Sequence, residues 1–306
     1  MTVTSWASGS HSLSRGVVLA SLLMISGLIF LPALAGLFRA AYQNDEYTHI
    51  LLVLPVSLCL IYLEGRNISV TAQYAPRLGL VLLFASATIW FAGKIHLLSL
   101  GENGWLSVRV LALVVLWIGC IIGCYGLQVY RALLFPISFL LLLTPPPAAL
   151  LDRAVVFLQQ ASTDATYAVF KLSGTPVMKD GFVLSLPMLQ IEVAQQCSGI
   201  RSSEMLFITG LVLAHLFLRT FWSKMVFVVF IVPMAIAKNA VRIFTLAMLG
   251  MHVNPDFFEG RLHHEGGGVF FALALGVLLL LLWVLQKAEG GASRTRTPGL
   301  EMSRTS

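Results

Sequence analysis

Apolar residues collect in long runs along this chain instead of alternating with polar ones. Eight such stretches lie near residues 16–38, 48–63, 78–93, 105–125, 131–145, 202–218, 223–250 and 269–286. A hydrocarbon layer about 30 Å thick takes about 20 apolar residues of helix, and lipid-exposed backbone must satisfy its own N–H and C=O groups. The pattern therefore predicts an all-α polytopic membrane protein of about eight transmembrane helices, with the second, third and fifth runs short for a full crossing. Ala33-Leu34-Ala35 has the small-x-small look of a leader cleavage site, but the run around it is too long for the apolar region of a signal peptide. It is expected to stay as an anchor.

Composition agrees: 58% of the residues are hydrophobic and 11% charged, against about a quarter charged in soluble domains. The net charge of +6 is spread along the chain, so a nucleic-acid partner is not expected. Its placement reports topology. With both termini in the cytoplasm, Arg15, Arg66, Arg77, Arg131, Arg219, Lys224, Lys287, Arg294, Arg296 and Arg304 face inward. Only Arg39, Lys94 and Arg261 remain in short external connections, as the positive-inside tendency requires. Residues 1–288 then form the transmembrane domain, 146–201 a long extracytoplasmic segment, and 289–306 a polar, disordered cytoplasmic tail.

Within the external segment, Gly181 to Val193 alternates well enough to predict two short strands around a turn. This gives a small α/β insertion before the sixth span. Three of the four cysteines, Cys59, Cys120 and Cys124, lie in apolar runs and are expected to be packing residues. Cys197 differs. It sits in Gln195-Gln196-Cys197-Ser198-Gly199-Ile200-Arg201-Ser202, where the chain enters a helix, and a helix N-terminus with Arg201 nearby favours the thiolate.

The seventh run contains Lys238-Asn239-Ala240-Val241-Arg242. Intramembrane cations are costly and face a cavity or a partner; Lys238 and Arg242 share a helix face, and Glu204 is a candidate partner for Lys238. The connection after that run carries His252, His263, His264 and Glu265. Cys197 precedes the sixth span, Arg242 nears the end of the seventh and the histidine pair precedes the eighth, so all three reach one membrane face. A thiol, an imidazole and a guanidinium suit acyl transfer: the base takes the thiol proton and later protonates the leaving amine, while the arginine stabilises the oxyanion. No metal or organic cofactor site is expected.

These blocks resemble the exosortases, multi-spanning bacterial enzymes related to the archaeosortases. Asp45-Glu46-Tyr47-Thr48-His49 resembles the family's acidic-Tyr-Ser/Thr-His signature. Leu158-Gln159-Gln160, Gly174-Thr175-Pro176-Val177 and Glu192-Val193-Ala194 follow in family order, and Cys197 to Ser202 is the most specific block. Asn239-Ala240-Val241-Arg242-Ile243 looks like the arginine motif and His263 to Phe271 like the histidine motif, with the register between His263 and His264 open. The resemblance implies a cysteine transpeptidase or protease of the bacterial inner membrane. It would cut C-terminal PEP-CTERM-type sorting signals of membrane-tethered proteins at the external face through a thioester, in company with exopolysaccharide production. Cys197, Arg242 and His263 or His264 are then the catalytic candidates, with Asn239, Arg201, Glu46 and His49 contacting substrate.

Two rival classes exist. A transporter or lipid-linked saccharide carrier would use Lys238, Arg242 and Glu204 to line a pathway and needs no thiol. A serine-type intramembrane protease would use Ser198, whose hydroxyl needs stronger basic activation than a thiol.

Overall fold

The computed structural model describes residues 9–44, 47–66, 68, 74–94, 101–187, 189–194, 199–253 and 267–294. Every apolar run is helical: α1 (Gly9–Ile29), α2 (Leu31–Gln43), α3 (Ile50–Gly65), α4 (Pro76–Lys94), α5 (Glu102–Ala132), α6 (Leu134–Phe139, continued by a 3-10 turn Leu140–Leu143), α7 (Ala148–Leu172), α8 (Ile200–Phe217), α9 (Phe221–His252) and α10 (Gly267–Arg294). Between α7 and α8 lie the strands β1 (Met178–Asp180), β2 (Val183–Leu186) and β3 (Leu189–Glu192).

Among the described residues, five helices are long and apolar enough to cross a membrane, or up to seven if each of two bent pairs is one span. That falls short of the eight expected. The first run bends by 72° between α1 and α2, and the fifth, Leu134–Leu143, is followed after a 93° bend by α7, which lies in the segment expected to be external. Prolines explain both breaks, since Pro32 stands in the first turn of α2 and Pro145-Pro146-Pro147 separates the second pair. The second run forms α3, at 16 residues shorter than a full crossing. Gly126, at φ +88°, interrupts α5 where the fourth run was expected to end.

The chain divides into two compact units, Met1–Leu151 and Asp152–Ser306. In the first, α4 and α5 meet through glycines: a Cβ on Gly79 would stand 2.8 Å from the Gly123 Cα. Small residues let helix backbones approach closely where no hydrophobic force drives association. Trp117 of α5 donates to the Ser26 hydroxyl of α1 at 2.9 Å, and the Ser86 hydroxyl of α4 donates to the Ala112 carbonyl at 2.7 Å.

In the second unit, α8, α9 and α10 bury one apolar core around Leu206, Phe227, Ile231, Leu278 and Leu282. Gly210 lets Ile231 seat against α8, because a Cβ there would collide with the Ile231 Cδ1. At the α8–α9 turn the Glu289 carboxylate of α10 accepts from the Arg219 N–H at 3.0 Å, the Thr220 N–H at 2.9 Å and the Thr220 hydroxyl at 2.8 Å. Helix α10 thus continues past the tail boundary expected at Glu289, as far as Arg294.

The segment 146–201 holds more structure than its polarity suggested. The hairpin of β2 and β3 turns where the alternation placed it, while β1 and the 25-residue α7 were not anticipated. The sheet is antiparallel in the order β1-β2-β3. Its Leu184 and Leu186 pack with Phe170 of α7 and with Phe244, Ala247 and Met248 of α9.

Candidate functional site

Two helices of unequal length position the site. Helix α8 has 18 residues, about 27 Å at 1.5 Å per residue, close to the thickness of a hydrocarbon layer. Helix α9 has 32 residues, more than one crossing needs. The two run antiparallel, and the first turn of α8 lies beside Asn239. From there α9 continues from Ala240 to His252, roughly 20 Å further. On this overhang Phe244, Ala247, Met248 and Met251 pack against the sheet and α7. A hydropathy pattern cannot separate that covering from lipid, which is why 223–250 read as one span.

Gly199 begins α8 in the left-handed region, at φ +74°. A Cβ on it would stand 3.0 Å from the Asn239 Oδ1 and 3.1 Å from its Cγ, so glycine is required both for the backbone conformation and for the close approach. Its carbonyl accepts from the Ser203 N–H at 2.9 Å, the Ser203 hydroxyl at 2.8 Å and the Ser202 hydroxyl at 3.1 Å. The Lys238 ammonium, in turn, donates to the Ser202 hydroxyl. Lys238 is 6% exposed and Asn239 1%. A polar chain therefore runs Lys238, Ser202, Gly199 across the α8–α9 interface, with the Asn239 amide against the same glycine.

The hydrogen-bond partner of Lys238 is thus Ser202; Glu204, the candidate named from sequence, lies half-buried on the same helix. Arg242, half-buried, follows Lys238 by one turn of α9, and Arg201 is exposed on the first turn of α8. On the other side of the cysteine block, the Gln159 amide of α7 donates to the Val193 carbonyl at the end of β3, and the Val193 N–H donates to the Phe182 carbonyl at 2.9 Å. Val193 and Gly199, the described residues that bracket the cysteine block in sequence, are in this way each fastened within the second unit.

Of the site residues expected from sequence, Asn239, Arg201 and Arg242 belong to this part of the second unit. His49, buried at the start of α3, belongs to the first unit. Cys197, His263, His264 and Glu46 lie outside the described residues. Sequence reasoning missed the roles of Lys238 with Ser202, of Gln159 and of the left-handed Gly199. Only the glycine had a legible signal, since a Gly immediately before a helix following a strand is where positive φ is common.

Cys120 and Cys124 are buried in α5 and unbridged, and Cys59 is exposed on α3. Among the described residues no group of three or more His, Cys, Asp or Glu is arranged to hold a metal ion.

A family model described as transmembrane exosortase matches residues 41–280. No curated protein and no solved structure is significantly similar to the chain.

Proposed function

The chain belongs to the transmembrane exosortase family, and on that premise we propose that it is a membrane cysteine peptidase and transpeptidase. Its substrates are membrane-tethered proteins with C-terminal sorting signals of the PEP-CTERM type, cut at the extracytoplasmic face of the bacterial inner membrane for protein sorting linked to exopolysaccharide production. One contact carries the reading, the seating of Gly199 on Asn239. Cys197 stands two residues before Gly199, so covalent geometry keeps its Cα within about 7.6 Å of that glycine. Arg242 stands three residues after Asn239, one turn along the same helix. A thiol and a guanidinium are thereby tied to the two sides of one contact.

In the proposed reaction His263 or His264 removes the Cys197 proton, and the thiolate attacks the scissile carbonyl. Arg242 donates to the oxyanion of the tetrahedral intermediate. Collapse expels the amine of the tail segment, which takes the proton back from the histidine and leaves a thioester on Cys197. An acceptor amine or water then attacks the thioester, loses its proton to the same histidine, and frees the thiol. A substrate held in the bilayer by its own helix diffuses in two dimensions to an enzyme that shares that bilayer, and its scissile bond arrives at a fixed depth.

The test is capture of the thioester between Cys197 and a tailed substrate, resolved by intact mass. The adduct is expected with the parent protein and absent in Cys197→Ala, which should also abolish processing. Continued cleavage by Cys197→Ala would exclude the thiol as nucleophile and return the carrier and serine readings to consideration.

A further inference from the structure

The small sheet has two edges, and they differ. At β1 the outward backbone groups are those of Lys179, because Met178 and Asp180 face Ser185 and Val183 of β2. This edge is guarded in the usual way, by a charged side chain: the Lys179 ammonium is paired with Asp164 of α7. At β3 the charged residue is Glu192, and among the described residues no ion pair ties it to a neighbouring element. The Val193 N–H bonds to β2 through Phe182, so antiparallel alternation turns the backbone of Ile191 and Leu189 inward and that of Gln190 and Glu192 outward. Among the described residues, the N–H and C=O of Gln190 and the N–H of Glu192 have no backbone partner, and the Glu192 carbonyl accepts only from the Ala194 N–H at 3.0 Å. The side chains of Gln190 and Glu192 are exposed.

Sheets with an unpaired edge recruit extended peptide as an additional strand. The open edge here is on the strand that runs directly into the cysteine block, and its other face is held rigid by Leu184, Phe170 and Ala247. We infer that the β3 edge is a docking rail for the substrate: the extended segment preceding the scissile bond adds to it as a fourth strand. The inference rests on the proposed peptidase reading for the occupant. Direction follows from position. The sheet lies on the α9 overhang, beyond the level of Gly199, whereas the substrate's tail continues as a helix in the bilayer. The chain entering from outside therefore passes the sheet before reaching Cys197, and runs parallel to β3.

Binding is measured with the full-length protein in nanodiscs, using a fluorescent tailed peptide and the Cys197→Ala background so that no turnover intervenes. Gln190→Pro removes the outward N–H, a substitution edge strands tolerate, and should weaken binding about three- to tenfold, the value of one net hydrogen bond. Gln190→Ala, which keeps the backbone, should bind as the parent does. A second series leaves the protein untouched and N-methylates the substrate backbone one residue at a time before the scissile bond. Losses should appear at every second position, because alternate residues of an added strand face β3.

Equal binding by Gln190→Pro, or a flat N-methylation profile, overturns the docking rail and leaves the cysteine chemistry standing. Cleavage persisting in Cys197→Ala would instead overturn the chemistry, while the period-two binding profile would still establish the rail.

Discussion

The bundle of α8, α9 and α10 is fastened at both ends, and the two fastenings are of different kinds. At one end the Glu289 carboxylate gathers two backbone N–H groups and a hydroxyl from the α8–α9 turn, three donors of the sort an unsatisfied helix start presents. At the other end the fastening is buried: Lys238 holds Ser202, Ser202 and Ser203 hold the Gly199 carbonyl, and Asn239 lies against the glycine. An ammonium buried in a membrane helix is expensive, and an apolar side chain of similar size would pack there at lower cost. The first end therefore reads as a clamp for stability. The second accepts a stability cost at the point where the chain leaves the cysteine block.

The sharpest way to break that contrast is Arg242→Lys. If the Gly199 end is built for chemistry, replacing a planar five-donor group by a point charge should lower turnover by about a hundredfold or more, the usual loss for an oxyanion donor. The thermal midpoint should barely move. Parent-like turnover in a correctly folded Arg242→Lys protein, measured on a tailed substrate, would remove the arginine from the reaction.

Gly199→Ala should be nearly as damaging, and should affect stability and activity together. A side chain at φ +74° costs about 1–2 kcal/mol, and its Cβ meets the Asn239 amide at 3.0 Å. Combining it with Asn239→Ala relieves the steric part only. The double mutant should therefore be more stable than the sum of the single losses by about 0.5–1 kcal/mol in a cycle, and strict additivity would show that the amide does not press on this turn.

A smaller effect separates the members of the polar chain. Ser202→Ala leaves the Lys238 ammonium buried without its hydroxyl and should cost about 1–3 kcal/mol. Lys238→Met removes the charge altogether and should be close to neutral in stability while lowering turnover. Adding Lys238→Met to Ser202→Ala should then recover most of the stability lost. If Lys238→Met proved the more destabilising single change, the buried ammonium would be a net stabiliser and the contrast between the two ends would disappear.

How much of this was legible follows from what each feature depends on. Hydrophobic runs depend on local composition, and all eight are helical, although only five to seven spans result among the described residues. The β2–β3 hairpin was legible too, because period-two alternation is local as well. The bends at Phe30 and at the three prolines could be suspected from Pro32 and Pro145 to Pro147, but whether a proline ends a span or kinks it is decided by neighbouring helices. Helix α7 was hidden because the middle of its buried face is polar: Gln159, Ser162, Thr163 and Thr166, at most 5% exposed, separate Leu151 and Val155 from Phe170, so no continuous apolar run marks it. The overhang of α9 was invisible for the opposite reason, since residues covered by the sheet have the composition of residues covered by lipid. Arg242 and Asn239 were legible as polar residues in an apolar helix. Ser202 as the partner of Lys238 was not, because the pairing joins two helices whose antiparallel register no single-helix pattern contains.

The clamp at the other end supplies the smallest and most discriminating measurement. Glu289→Gln keeps one acceptor oxygen but turns an amide NH2 toward the Arg219 and Thr220 donors, which lie 2.9–3.2 Å from the present carboxylate. A charge-assisted acceptor is thereby exchanged for a neutral one with a donor facing a donor, a loss of about 1 kcal/mol, or a few degrees in the thermal midpoint of a domain this size. Glu289→Asp, shorter by one methylene, should recover part of it. Turnover per folded molecule should stay within about twofold of the parent, because the intact helix core around Phe227 and Leu278 insulates the far end from a local loosening. A drop in turnover much larger than the loss of folded protein would mean that Glu289 sets the register of α10, and with it the histidine segment that precedes that helix. The clamp would then belong to the chemistry, and the two ends of the bundle would be one device.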